Sequence, residues 1–234
     1  MSTKARFKKF DYRLNPRRLV AGKSRSRFKH FFGGTIGAIA PKLARAPIHV
    51  LYSLDLRDPL LSFLGVEGKS LPLLFPMTVD GGSISYLATP EGGIKLLGKM
   101  PGPRAADWPR PDYPDAFPEM PVQVRELSYE QYRAALFRYQ LGPADWLRKD
   151  DRALLKALGN SFTQLGGVQE RPFGTPFDND CPNPKCRSPG MNVFASVWNE
   201  PVPGVVLWDD GADVLIEFSM CRGCKAISAI TMVD

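Results

Sequence analysis

The placement of the cysteines limits this chain more than any other feature. Cys181-Pro-Asn-Pro-Lys-Cys186 and Cys221-Arg-Gly-Cys224 contain all four cysteines of the protein. Two close-spaced pairs on either side of strand-like sequence are the pattern of a zinc ribbon, because Zn²⁺ favours a tetrahedron of soft thiolates and each short loop delivers two. The second pair has two residues between its cysteines and the first has four, and 34 residues separate the pairs, more than the usual spacer of about 15–20. Two disulfides, four free thiols and a redox pair are the competing readings. A redox pair sits at a helix N-terminus, where the helix dipole lowers the thiol pKa. Here residues 214–220, Val-Leu-Ile-Glu-Phe-Ser-Met, read as a strand leading into Cys221. Cys181, Cys186, Cys221 and Cys224 are therefore expected to hold one structural Zn²⁺, since four protein ligands leave no open position for water or substrate.

The rest of the composition sets bounds. A chain of 234 residues that is 44% hydrophobic can build a core as one large or two small domains. Its 22 prolines and 21 glycines favour many turns and short strands. No run of about 18 apolar residues occurs, so no transmembrane segment is expected. Cysteines grouped for a metal fit a reducing, cytoplasmic setting.

The net charge of +7 is unevenly spread. Residues 1–30 hold eleven Lys and Arg against Asp11, a net of +10, so the remainder is slightly acidic at −3. A basic N-terminal arm, 1–46, is expected. Lys4, Arg6, Lys8, Lys9, Arg13, Arg17, Arg18, Arg25, Arg27 and Lys29 are its candidate nucleic-acid contacts, interleaved with Phe7, Phe10, Tyr12 and Phe28 for stacking. A solvated tail, a lid on the acidic body, or a targeting segment are the other readings of the arm.

Beyond the arm the chain reads as a first β-unit (47–100) with strands at 48–54, 71–77, 83–87 and 94–97. A connector (101–121) follows, rich in proline and carrying Trp108, Tyr113 and Phe117; it is expected to lie extended across the surface, held by those aromatics. Next comes a strand at 122–127. Ser128-Tyr-Glu-Gln131 has the form of a capping box, opening a helix to about 140, with a second helix over 144–158. The second β-unit (166–234) carries the cysteines. The expected fold class is α+β and β-rich: two related antiparallel β-units, a helical pair between them, and a C-terminal zinc ribbon. The relation between the units rests on a gap-free match of 47–77 with 190–220, a shift of 143 residues in which Val50, Ser53, Leu64, Gly68, Phe75 and Met77 meet identical residues.

Several of these segments together resemble the YwqG-like family of bacterial proteins, in its zinc-ribbon-bearing branch. They are the paired β-units, Leu165-Gly-Gly-Val-Gln169, Met191-Asn-Val-Phe-Ala-Ser-Val197 running to Asp209-Asp-Gly211, and the strand before Cys221. The cysteine pair, β-hairpin, cysteine pair order is also similar to the programmed-cell-death-2-like proteins. The resemblance implies an interaction protein, such as a toxin immunity protein or antitoxin, whose partner is another protein. It supplies no catalytic residues.

The residues agree with that implication. His30 and His49 are the only histidines, and no Gly-x-Ser-x-Gly, His-Glu-x-x-His or dinucleotide fingerprint occurs. Asp178, Asp180, Asp209, Asp210 and Asp213 could do acid–base work, but they read as turn residues. Trp198 and Trp208 are read as core, or as anchors for a partner. A non-enzymatic protein-interaction module is thus expected, with nucleic-acid binding through the arm as the alternative.

Overall fold

The alternation of apolar and polar residues between Pro and Gly turns produces strands almost throughout. The structure, a computed structural model, describes residues 16–23, 25–35, 46–79, 82–89, 93–98, 112–128, 130–132, 153, 162–166, 180–188, 190–208 and 214–233. They form β1 (Arg17–Ala21), β2 (His30–Phe32), β3 (His49–Asp55), β4 (Ser70–Phe75), β5 (Ser83–Ala88), β6 (Ile94–Leu97), β7 (Met120–Glu126), β8 (Thr163–Leu165), β9 (Met191–Trp198), β10 (Val214–Cys221) and β11 (Ile227–Val233). All eleven belong to one antiparallel sheet in the order β4-β3-β2-β7-β1-β8-β9-β10-β11-β5-β6. The sheet curls until β4 meets β5. There the Tyr86 hydroxyl donates to Pro72 O at 2.7 Å and accepts from Leu74 N–H at 3.2 Å, bridging the two strands by a side chain. Inside the curl lies one core, in which Leu51, Tyr52, Phe32, Phe75 and Phe218 are buried.

This architecture corrects the α+β expectation. Among the described residues helix amounts to a 3-10 turn, Pro59–Leu64, and helical backbone at 130–132 and 153. The capping box does form: Gln131 N–H donates to Ser128 Oγ at 3.2 Å, and Ser128 N–H to Gln131 Oε1 at 3.0 Å. Most of the expected helical pair, like the turn Asp209-Asp-Gly211, lies outside the described residues. Nor, among the described residues, are the two β-units separate: β11 pairs with β5, and β3 connects through β2, β7, β1 and β8 to β9, so a single ladder runs through both. Two of the joining strands, β1 and β2, come from the segment read as an arm.

Within that ladder two halves repeat. Val50 pairs with Leu74 and Tyr52 with Leu73, leaving Leu51 as a bulge. In the other half Val193 pairs with Ser219 and Ala195 with Phe218, leaving Phe194 as the bulge. The bulge carbonyl accepts from Gly33 N–H at 3.1 Å in the first half and from Gly166 N–H at 2.7 Å in the second. Both glycines have positive φ, 73° and 64°, which a side-chain-bearing residue adopts only with strain. Strands β2, β3 and β4 thus correspond to β8, β9 and β10. The first strands of the two hairpins are offset by 143 residues and the returning strands by 145. Phe75 therefore matches Met220, opposite His49 and Asn192 respectively, and not Phe218 as the gap-free match has it. A two-residue slip keeps every side chain on the same face, so hydrophobic pattern cannot detect it.

The proline-rich connector behaves as expected where it is described. Tyr113 and Phe117 are buried and meet each other edge-on, with ring centroids 5.8 Å apart. His49 Nε2–H donates to Pro114 O at 2.7 Å and its Nδ1 accepts from Met77 N–H, which pins the connector across β3.

Candidate metal centre

The β9–β10 hairpin opens towards its base, and each of its ends carries one cysteine pair. Cys181 and Cys186 lie on the loop entering β9, while Cys221 ends β10 and Cys224 lies in the turn before β11. The four Sγ atoms lie within 4.8 Å of one another. Cys181 and Cys224 Sγ are 3.4 Å apart, and Cys186 and Cys221 Sγ 3.7 Å. A tetrahedral site with metal–sulfur bonds of about 2.3 Å places its sulfurs about 3.8 Å apart, whereas a disulfide needs about 2.05 Å. The four residues are free thiols arranged as a ligand set.

The backbone supports the charged form of these groups. Ser188 N–H donates to Cys186 Sγ at 3.5 Å. Asn183 N–H points at Cys181, and the N–H groups of Gly223 and Cys224 point at Cys221. A donor two residues after the cysteine stabilises thiolate, not thiol. Burial pushes the Cys181 thiol up to about 12, against the pull of the Asn183 N–H. At Cys221 burial also works upward, but the Cys224 N–H, the neighbouring thiols and the Gly223 N–H outweigh it and bring the group down to about 6. Four thiolates this close repel one another, so the set ionises fully only around a cation.

Close packing holds the two loops in register. A Cβ on Gly223 would lie 2.8 Å from Ser188 Cβ, so only glycine lets the second loop approach the first. Lys225 has positive φ, 61°. Its N–H bonds Cys221 O at 3.1 Å, while Cys221 N–H bonds Ala226 O at 2.8 Å. Lys225 Nζ reaches Leu64 O at 3.3 Å, tying the centre to the end of the 3-10 turn.

The other residues singled out in the sequence are placed elsewhere. Arg17 lies in a central strand, 5% exposed, with its guanidinium 5.0 Å from the Phe63 ring centroid. The Arg18 guanidinium has its pKa lowered by burial and by Arg125. Arg25, Arg27 and Lys29 fall between β1 and β2, where Lys29 N–H donates to Asp55. Lys4, Arg6, Lys8, Lys9 and Arg13 lie outside the described residues, as do Asp178, Asp209, Asp210 and Asp213. Both histidines are buried. His30 Nδ1 accepts from Asp55 N–H at 3.0 Å and its Nε2 faces Asp58 Oδ2 at 3.0 Å. Trp198 and Trp208 are core residues.

Sequence reasoning singled out the four cysteines that the structure brings together and missed what surrounds them: Ser188, Gly223 and Lys225. The spacing itself was the available signal, since a glycine two residues after Cys221 and a small residue two after Cys186 leave room for N–H to sulfur bonds. Among the described residues no helix is long and apolar enough to cross a membrane. No known family model matches this chain, and neither does any curated protein or any solved structure.

Proposed function

We propose that this is a non-enzymatic protein whose curled sheet is clamped by one structural Zn²⁺ and which acts by binding another protein. The observation that carries the reading is the cysteine geometry: four mutually close sulfurs, three of them receiving backbone N–H groups from their own loops. Four soft ligands in a tetrahedral set favour zinc over harder or octahedral metals. A site closed by four protein ligands holds structure together and has no place for substrate.

The absence of turnover is supported by how the histidines are used. Each ring bridges groups within the fold through both of its nitrogens, and both rings are buried. Neither is placed to move a proton for a ligand arriving from solvent. The nucleic-acid alternative loses Arg17 and Arg18 to the centre of the sheet, and no observation favours it over protein binding. Removing residues 1–30 would take out β1 with the basic residues, so a deletion that tests the arm has to stop at residue 15.

The test is metal analysis of purified protein together with Cys181→Ser and Cys224→Ser. About one zinc per chain, lost with folding in either variant, is the expected result. A folded preparation with no bound metal overturns the reading.

A further inference from the structure

The two halves of the sheet differ in what covers one corresponding place. In the first half the corresponding rungs are Gly33, His49, Val50, Leu51 and Phe75, and residues 113–118 lie against Gly33, Gly34 and His49. Gly34 N–H donates to Phe117 O at 2.9 Å, and a Cβ on Gly33 would lie 2.3 Å from Pro118 O. The His49 ring lies between Tyr113 and Phe117, with centroids 5.7 and 5.3 Å away, and its Nε2–H holds Pro114 O. Tyr113 Oη donates to Leu207 O, in the β9–β10 loop of the other half, at 3.0 Å.

In the second half the register puts Gly166, Asn192, Val193, Phe194 and Met220 at those same positions. There the place is a cavity of about 270 Å³, small for a cofactor site. Cys221 of the cysteine cluster lines it as well, and Phe63 and Leu64 from the β3–β4 loop close it, so each place is met by a loop of the opposite half. Where His49 offers Nε2–H to a peptide carbonyl, Asn192 offers its Nδ2 amide. Its Oδ1 is held by Arg222 at 3.1 Å, which orients that amide. The rim is formed by Arg222 and Lys225, and among the described residues no acidic side chain lines the cavity. The segment filling the first place is itself acidic, with Asp112, Asp115 and Glu119 around its aromatics.

We propose that the cavity beside the cysteine cluster binds an extended, proline-interrupted peptide of a partner protein, with an aromatic residue in the apolar floor and acidic residues against Arg222 and Lys225. It is the same kind of segment as 112–119, held in the same way. The proposal deepens the protein-binding reading above by naming the site and the chemistry of the partner. Main-chain hydrogen bonding supplies affinity, and the apolar floor with its cationic rim supplies selection.

The probe is a labelled nonapeptide, Pro-Asp-Tyr-Pro-Asp-Ala-Phe-Pro-Glu, titrated into the full-length zinc-loaded protein by fluorescence anisotropy. Saturable binding is expected, weakened about tenfold or more by Arg222→Glu and by filling the floor with Val193→Trp. Arg125→Glu, at an exposed position of β7 remote from the cavity, should leave it unchanged. A peptide with Tyr and Phe replaced by Ala should not bind. Absence of saturable binding, or binding indifferent to both cavity variants, overturns the proposal. Binding that appears only after Phe173 and Phe177 are changed to Ala assigns the cavity to the chain's own 172–177 segment and overturns the assignment to a partner. Zinc content and melting are measured on the same samples. Metal-free folded protein defeats the zinc reading whatever the peptide does, whereas full zinc with no binding defeats only this proposal.

Discussion

The β2–β3–β4 and β8–β9–β10 halves share a ladder, a bulge and a positive-φ glycine, yet they are secured by different means. In the first half, Tyr113 and Phe117 pack into the place beside β3, and His49 bonds the connector to the strand. In the second half the hairpin base carries four sulfurs, and among the described residues the matching place is a cavity. Fully burying an aromatic side chain contributes about 1.5–3 kcal/mol, whereas structural zinc in small domains contributes apparent binding energies of about 10–16 kcal/mol. Apolar packing needs the filler to remain in place. A metal held by the four cysteines, as proposed above, would secure the hairpin base without a filler in the adjoining cavity.

The comparison breaks most decisively at the metal. Chelation, or Cys224→Ser, should remove more stability than a domain of this size holds in reserve, about 5–15 kcal/mol. Thermal melting followed by circular dichroism should then show loss of the cooperative transition, with amide-exchange protection lost first in β9–β11. Protection surviving there in metal-free protein would mean that the second half does not depend on its clamp.

The next largest effect is expected from Phe117→Ala, about 3–5 kcal/mol as for other buried Phe truncations, read by urea denaturation. It also sharpens the comparison: with its filler weakened, the first half should acquire a second site for the same nonapeptide. Tyr86→Phe removes the hydroxyl that bridges β4 and β5 and leaves buried backbone groups without their partner, for about 1–3 kcal/mol. The lost protection should concentrate in β4, since the corresponding strand β10 is laddered to β11 and has no need of such a bridge.

The smallest effect is electrostatic and belongs to the first half alone. The Asp55 carboxyl is held well below the usual carboxylate range, chiefly by the exposed Arg57 guanidinium and also by the Lys29 and Arg57 N–H groups, against the opposing effect of burial. Its folded pKa is depressed, so its stabilisation is present above the unfolded value of about 3.9 and is lost as pH falls below it. Asp55→Asn should lower the melting temperature at pH 7, and the gap to the parent protein should narrow below about pH 4. A gap independent of pH would show that the charge of Asp55 is not what matters.

The sequence made the long strands legible because Val, Ile, Leu and Phe alternate between turn residues there. The expected 94–97, 83–87 and 48–54 fall within a residue of β6, β5 and β3. The cysteine ligands were legible too, since close pairing of thiols has few other purposes. What escaped was the role of the N-terminal residues. Arg17-Arg-Leu-Val-Ala carries two charges in five residues and looks like a solvated arm. It becomes a central strand because Leu19 enters the core while the Arg17 guanidinium lies against Phe63. Both β2 and β8 span three residues, too short for any periodicity to register. The open cavity had no sequence signal of its own; it emerges only once Asn192 and His49 are known to occupy equivalent rungs.

The position of β1 has a consequence for how this protein can be made. Arg17 and its neighbours pair with Glu126 on one side and Leu165 on the other, each more than a hundred residues later in synthesis. Until both have emerged, the strand that will join the two halves has nothing to hold. Pairings this distant in sequence close slowly, and an unpaired strand invites association with other chains while it waits. The segment around Arg17 therefore lacks both of its neighbours in the sheet until synthesis has passed Leu165.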